Sequence, residues 1–240
     1  KHILKVSEGN VIKYIKEKLD ENGYTLQLLN MSPHKYGVPQ QRERVYFICI
    51  RKDIYKNQDV NLIHPEINID DIVFEDYLDD KETINEKYFL KGDVLKSLEV
   101  WEEMIKLFEV EEKISPTIMA NEFYKNYSDE EFEELAIWRQ DYITKNKPLY
   151  NKYKPHWDAW YEKNKEILRR REIYGKLEWQ VGKIKPNDSI FNYFIQMRQS
   201  GIRVKKPQYF PTLVAISQIP IYGKEKRYIT PKECLRLQSF

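Results

Sequence analysis

The chain has 240 residues, and its 40 lysines and arginines nearly balance its 38 aspartates and glutamates, for a net charge of +2 at pH 7. This length is enough for one large or two small domains with a buried core. No apolar run approaches the roughly 18 residues that a transmembrane helix needs, and no signal peptide heads the chain, so we expect a soluble, cytoplasmic protein. The four histidines stand singly and the two cysteines form no Cys-x-x-Cys pair, which predicts no metal site and a reducing compartment.

The N-terminal part of the chain predicts a piece of an α/β sheet. Apolar residues at helical spacing predict an amphipathic helix with Asn10 as its cap and Gly23 at its end. Residues 24–30 and 45–50 are predicted strands, and the second is rich in β-branched, aromatic and apolar side chains that favour burial. We therefore expect Cys49, which lies in that strand, to be a buried and inert thiol.

Two arginines stand two residues apart where the second strand is predicted to begin. A Gly-Val-Pro turn precedes Gln40, and the spacing of Arg42 and Arg44 puts their side chains on one face. Each guanidinium group offers several donors in one plane, which suits a phosphate or the edge of a base. A surface salt bridge with Glu43 or another neighbour is the alternative for this pair.

The middle of the chain predicts a separate, mostly helical region. Amphipathic helices are predicted at 67–78, 94–108 and 129–142, and Ser128 with a glutamate three residues later predicts a capping box for the third. Residues 147–171 are rich in aromatic and basic side chains, and three aromatic ones share a helical face: Trp157, Trp160 and Tyr161. This stripe favours packing against a core, and a platform on which bases stack is the alternative.

The C-terminal third predicts short strands and carries most of the unbalanced positive charge. β-like pieces at 173–179, 202–204 and 213–216 are separated by glycine and proline. Thr230 predicts a helix cap, with proline at the first helical position and Glu233 able to close a capping box. Basic residues in this part and acidic ones near the middle favour a molecule with one DNA-binding face, although ordinary solvated surface is the alternative.

Three segments resemble conserved parts of the DNA cytosine-5 methyltransferases, and they follow one another along the chain as they do in that family. The run Tyr-Gly-Val-Pro-Gln-Gln-Arg-Glu-Arg at 36–44 resembles the eighth block, which carries a Gln-x-Arg-x-Arg pattern. The run 227–240 resembles the ninth block, with Lys232 where the family has arginine and Leu235 where it has alanine. Between these two, residues 199–207 and 210–213 resemble the end of the family's target recognition domain.

The sequence does not hold several other motifs of that family. It contains no Phe-x-Gly-x-Gly loop for S-adenosylmethionine, no Pro-Cys nucleophile loop and no Glu-Asn-Val block, and it stops before the tenth block. The resemblance therefore implies a fragment that lacks the N-terminal half of the catalytic domain. We expect S-adenosylmethionine to serve only the complete enzyme, and we expect this fragment to be inactive by itself.

The resemblance also implies roles for the arginine motif. By its place in the eighth block, Arg44 would contact the flipped cytosine near O2, Arg42 would hold the adjoining phosphate, and Gln40 would support the loop. A permanent charge at Arg44 could stabilise the electron density that builds on the ring during attack. The nucleophilic cysteine lies outside this chain.

Residues 198–212 are the predicted contact with double-stranded DNA. Gly201 would allow a close backbone approach, Arg203 would pair with a guanine edge, and the two lysines that follow would meet phosphates. Ser200 matches a position from which some family members fill the gap left by the flipped base, and serine is small for that task. The predicted DNA-binding set is Arg198, Ser200, Gly201, Arg203, Lys205, Lys206 and Thr212. A basic hairpin that only helps the domain to fold is the alternative.

The sequence thus predicts an α/β protein: the end of a Rossmann-like methyltransferase sheet plus a mixed α+β target recognition domain. The expected domains are a catalytic remnant at 1–51, a recognition domain at 52–209 and a return segment at 210–240. The predicted function is DNA recognition, and part of the flipped-cytosine pocket, in a DNA cytosine-5 methyltransferase of a bacterial restriction-modification system. A non-catalytic DNA-binding module or one subunit of a split methyltransferase is the alternative, and a protein-interaction scaffold is a third possibility.

Overall fold

The computed structural model describes residues 2–40, 42–55, 73–206, 210, 211, 213 and 218–240. The chain divides into two compact units: the first comprises Lys1–Asp76, Gln208–Thr212 and Arg236–Phe240, and the second comprises Tyr77–Pro207 and Leu213–Leu235. Both units mix helices with strands. The first unit extends beyond the expected boundary at residue 51, and the expected return segment is shared between the two units.

The first unit is built on an antiparallel hairpin and one helix. Helix α1 spans Asn10–Glu21, strand β1 spans Tyr24–Met31 and strand β2 spans Arg44–Arg51. Gly23 follows the helix with φ at +79° and donates its amide to the carbonyl of Asp20, so glycine ends the helix as predicted. Asn10 is not the cap. The helix begins at Asn10, one residue earlier than predicted, so the cap position falls on Gly9, which is in the left-handed conformation and has no side-chain oxygen.

Strand β2 is not buried, so the predictions for this strand and for Cys49 are wrong. Along β2 half-exposed and exposed residues alternate irregularly, and Cys49 is exposed. Among the described residues only β1 pairs with β2, which leaves apolar side chains such as Tyr46 and Phe47 in contact with solvent. Composition predicted the strand correctly, but burial depends on what packs against it.

The second unit is a mixed sheet packed against helices. Its described strands have the order β3-β4-β6-β5-β7-β8, in which β4 and β6 run parallel and the other neighbours antiparallel. The strands are β3 Ile118–Met119, β4 Lys176–Gln180, β5 Phe194–Arg198, β6 Gly201–Lys205, β7 Ile221–Tyr222 and β8 Arg227–Tyr228. The helices are α2 Gly92–Ile105, α3 Asp129–Glu133, α4 Ile137–Lys152, α5 Lys154–Arg170 and α6 Pro231–Arg236. None of the described helices is long and apolar enough to cross a membrane.

The helical predictions for this unit are confirmed in part. Helix α2 is present, but it begins two residues and ends three residues earlier than predicted, and Ser128 forms the predicted capping box at the start of α3. The helix predicted at 129–142 is instead two helices, since α3 ends at Glu133 and α4 begins at Ile137. The aromatic stripe of α5 is buried in the core, so the packing interpretation is correct. Half of the helix predicted at 67–78 lies outside the described residues, and the described half holds a short 3₁₀ turn, Phe74–Tyr77. Of the β-like piece predicted at 213–216, only Leu213 is described.

A buried ion pair joins the two ends of the second unit. Arg227 is fully buried and donates to both carboxylate oxygens of Glu233, at 2.8 and 2.9 Å, and to Glu225 at 2.6 Å. Glu233 also accepts the backbone amides of Thr230 at 2.7 Å and of Asp79 at 2.9 Å. Burial opposes ionisation of Glu233, but these donors outweigh it and lower its pKa. The predicted capping box at Thr230 is therefore present and extends into a larger network.

Candidate functional site: two clefts lined by arginines

The arginines of the first unit line one cleft of about 530 Å³, between the end of β1 and the start of β2. Arg42 is half-buried, whereas Arg44 is exposed and donates from Nη1 to the carbonyl of Glu43 at 2.9 Å. The lining residues are Met31, Ser32, Pro33, Tyr36, Arg42, Arg44, Val45 and Tyr46. The structure therefore brings the two predicted arginines together, beside the hydroxyl-bearing side chains of a serine and two tyrosines.

Backbone hydrogen bonds fix the segment that precedes these arginines. A short 3₁₀ turn, Pro33–Tyr36, precedes it, and Gly37 adopts a φ of +83°. The amide of His34 donates to the carbonyl of Gln40 at 3.2 Å, and the amide of Phe210 donates to the carbonyl of Pro39 at 2.7 Å. Gln40 is buried, and its side-chain Nε2 has no hydrogen-bond partner among the described residues. The described hydrogen bonds of Gln40 are made by its main-chain atoms.

The second unit presents a polar sheet face on three neighbouring strands. In β4 and β6 apolar positions alternate with polar ones after the first residue, so that one face packs on the core, whereas β5 buries Phe194, Ile195 and Gln196 alike. Glu178 lies opposite Arg203, which in turn lies opposite Gln196. Residues directly opposite one another in a sheet share a face, so these three polar side chains form one row across the strands.

A cleft of about 610 Å³ lies over this face. Arg203 forms two hydrogen bonds with the carboxylate of Glu178, at 2.8 and 3.0 Å, so Glu178 occupies two of its donor nitrogens. Arg198 is half-buried, and its buried Nη1 has no partner among the described residues. Trp138, which is 53% exposed, and Tyr142 also line the cleft, and their rings meet edge to face.

The remaining predicted DNA-binding residues take different positions. Ser200 is exposed in the two-residue turn between β5 and β6, one residue before Gly201. A Cβ at Gly201 would lie 2.9 Å from the carbonyl oxygen of Lys176, so the close approach there is made by β4. Lys206 is exposed, whereas burial and the nearby Arg203 lower the pKa of half-buried Lys205. Thr212 lies outside the described residues.

A cleft of about 420 Å³ lies next to the 610 Å³ cleft and shares Met119, Glu172 and Lys176 with it. It adds three basic side chains, Lys125, Arg139 and Arg169. Glu122 lies among them, buried, and accepts hydrogen bonds from Arg139, Lys125 and Tyr127. Burial opposes its ionisation, but these three donors outweigh it and lower the pKa of Glu122 to about 2. The two clefts adjoin through their shared residues and form one groove on the second unit, whose lining has six basic and three acidic side chains.

The sequence holds no glycine turn of the kind that approaches a nucleotide-like cofactor. None of its eight glycines stands two residues from another, so no Gly-x-Gly turn is present to approach S-adenosylmethionine, and we assign none of these residues to it. Within the described ranges, no cluster of three or more histidine, cysteine, aspartate or glutamate side chains could hold a metal ion.

Comparison with known proteins identifies the class of this protein. A family model described as C-5 cytosine-specific DNA methylase matches residues 1–240, and the chain therefore belongs to that family. It is 33% identical to the type II methyltransferase M.AluI of Cellulosimicrobium cellulans over 113 residues, which are 45% of this chain and 20% of that protein. It is 37% identical to the type II methyltransferase M.HhaI of Haemophilus parahaemolyticus over 46 residues, which are 19% of this chain and 14% of that protein. The chain thus spans about a fifth or less of the length of these relatives.

Several residues of these clefts were missed by sequence reasoning. Glu178 and Gln196 belong to the polar row only through strand register, which the sequence does not display. Trp138 stands out only as an exposed tryptophan at the start of α4. Ser32 and His34 lie just before the arginine motif, and their spacing of two residues in a turn was the available signal.

Proposed function

We propose that this chain is part of a DNA cytosine-5 methyltransferase in which the first unit helps to form the flipped-cytosine pocket and the second unit recognises DNA. The observation that carries the proposal is the pairing of Arg42 and Arg44 in one cleft, within the Gln-x-Arg-x-Arg segment of a chain that belongs to this family. Restriction-modification is the proposed setting, because the relatives cited above are type II methyltransferases.

The chemistry explains why two guanidinium groups would share such a cleft. A cytosine inside a duplex is out of reach of a nucleophile, so the base must leave the stack, and its backbone must be held in the new position. Arg44, exposed at the cleft, would hydrogen-bond the base and stabilise negative charge that develops on the ring. Arg42, half-buried, would hold the adjoining phosphate. S-adenosylmethionine would supply the methyl group in the complete enzyme.

The second unit would contact DNA along its groove. Phosphates would lie against the basic side chains, which gain affinity by releasing condensed counterions. The β5–β6 turn with Ser200 and the side chain of Arg203 would face base edges, since arginine pairs bidentately with guanine. For Arg203 to read a base, its fork must exchange the carboxylate of Glu178 for that base.

The pocket roles are tested by two substitutions in the complete enzyme. Arg44→Ala should lower the single-turnover methylation rate by about 100-fold and change the DNA dissociation constant by less than about threefold, because its contact strengthens in the transition state. Arg42→Ala should mainly weaken binding, on specific and random duplexes alike. An unchanged rate together with weakened binding for Arg44→Ala would mean that its assigned role is wrong.

The recognition role is tested with a matched pair of carboxylates in the groove. Glu178→Gln and Glu172→Gln each remove one negative charge beside the groove, but only Glu178 holds Arg203. Both should tighten binding to random duplexes slightly, and only Glu178→Gln should change the ratio of cognate to random affinity. Arg203→Ala should cost about 1 to 3 kcal/mol on the cognate site and much less on random DNA. Equal losses on both duplexes would make Arg203 a phosphate contact.

The lysines after Arg203 have a different signature. Lys206→Ala should weaken specific and random duplexes alike and make the salt dependence shallower by about one unit of slope. Lys205→Ala should act in the same direction.

By itself the chain should neither bind S-adenosylmethionine nor methylate DNA, and calorimetry with the purified chain checks this. If the chain binds DNA but restores methylation only with a separately expressed partner, the split-enzyme alternative is correct.

A further inference from the structure

Ser32 and His34 lie beneath the arginine segment and bond to it. The main-chain amide of Arg42 donates to Ser32 Oγ at 3.1 Å, and Ser32 Oγ lies 2.9 Å from His34 Nδ1. The amide of His34 donates to the carbonyl of Gln40 at 3.2 Å. These hydrogen bonds hold the arginine segment at Gln40 and at Arg42, and Ser32 is only 1% exposed, so water has little access to its hydroxyl.

The Ser32–His34 contact can form with either partner as the donor. Ser32 Oγ accepts the amide of Arg42, and it still has its own hydrogen and a second lone pair, so it can donate to an unprotonated Nδ1 or accept from a protonated one. A neutral imidazole allows both arrangements, and each joins the histidine ring to the serine hydroxyl. Burial lowers the pKa of His34 and the charge of Lys35 lowers it further, while Glu43 acts in the opposite direction. The neutral imidazole is thus the form that suits its surroundings.

We propose that Ser32 and His34 are positioning residues, which hold the main chain at Arg42 so that Arg42 and Arg44 point into the cleft together. The proposal rests on the function proposed above for the two arginines. The side chain of Arg44 is exposed and donates to the carbonyl of the adjacent Glu43, so its direction depends on the main chain of this segment. A displacement of about 1 Å in a group that orients a substrate can cost 100-fold in rate, so the hydrogen bonds that fix this main chain should affect the rate.

The first arm of the test uses no activity. In the purified 240-residue chain, hydrogen exchange at the amide of Arg42, followed by NMR, should be at least about tenfold faster in Ser32→Ala and His34→Leu than in the wild type. Ser32→Thr keeps the hydroxyl, and His34→Asn places an amide oxygen near the position of Nδ1, so both should keep the slow exchange. His156→Leu, a substitution of an exposed histidine in the other unit, is the matched control and should change nothing.

The second arm measures single-turnover methylation and DNA affinity in the complete enzyme. Ser32→Ala and His34→Leu should lower the rate by about 10- to 100-fold with less than about a threefold change in DNA affinity, and His34→Asn should recover most of the rate. Equal losses in His34→Leu and His34→Asn, or unchanged exchange at Arg42 in Ser32→Ala, would overturn the proposal. If Arg44→Ala also leaves the rate unchanged, the proposed pocket function is wrong. The exchange data would still show whether Ser32 and His34 hold the main chain at Arg42.

Discussion

Glu122 is the residue through which acid should destabilise the second unit. It is 8% exposed, and its carboxylate accepts from Arg139 at 2.8 and 3.2 Å, from Lys125 at 2.8 Å and from Tyr127 at 2.6 Å. Lys125 and Tyr127 precede α3 in the chain, and Arg139 follows it in α4. The carboxylate therefore connects the segment before α3 to α4. We predict that Glu122→Gln, which keeps the size of the side chain but removes its charge, lowers the free energy of unfolding.

The magnitude follows from the pKa of Glu122. A carboxyl whose pKa falls from 4.5 to about 2 on folding contributes roughly 3 kcal/mol of stability at neutral pH, at about 1.4 kcal/mol per pKa unit. Lys125 and Arg139 are 45% and 32% exposed, and solvent screening lowers the expected loss to about 2 kcal/mol. Because the folded-state pKa is depressed, this stability is complete above about pH 5.5 and disappears as the pH falls toward 2.

The assay is urea unfolding followed by tryptophan fluorescence at several pH values. All five tryptophans lie in the second unit, so their fluorescence reports on that unit alone. The difference between wild type and Glu122→Gln should be about 2 kcal/mol at pH 7 and should shrink steadily below pH 4. Glu162→Gln, which removes a 70%-exposed ion-pair partner of Lys165, is the control and should cost less than about 0.5 kcal/mol. A difference that stays constant from pH 7 to pH 3 would refute this reasoning.

Three further predictions concern single residues. Arg227→Met should lower the free energy of unfolding by about 3 to 5 kcal/mol, because it leaves two carboxylates without their buried cation, and urea unfolding checks this. Gly201→Ala should destabilise the β5–β6 hairpin, since φ is +128° and the added carbon would lie 2.6 Å from the Cβ of Lys176; a lowered melting temperature is expected. Burial raises the pKa of Cys234 to about 11, so iodoacetamide at pH 8 should modify exposed Cys49 first, which peptide mapping by mass spectrometry measures.

Features set by residues close in sequence could be predicted from the sequence. Strands β1 and β2, the end of α1 at Gly23 and the capping boxes at Ser128 and Thr230 depend on local geometry and on side chains within a few positions. The convergence of Arg42 and Arg44 followed from their spacing of two residues.

Features set by tertiary neighbours could not be predicted in this way. The burial of Cys49 depended on which elements cover β2, and composition alone gave the wrong answer. The pairing of Arg203 with Glu178 joins residues 25 positions apart on parallel strands, and its register appears only in the folded sheet. The same holds for Arg227, whose motif predicted a helix start but not the carboxylates on either side of its guanidinium group.

The contact between Arg44 and the target base is the most direct test of the proposed function. A crystal structure of the complete enzyme with a duplex whose target cytosine is trapped outside the stack would measure it. We predict a guanidinium nitrogen of Arg44 within about 3.2 Å of the cytosine O2, with Arg42 at the adjoining phosphate. An Arg44 that points to solvent or to a phosphate, with the flipped base held by other residues, would contradict the proposed function of this cleft.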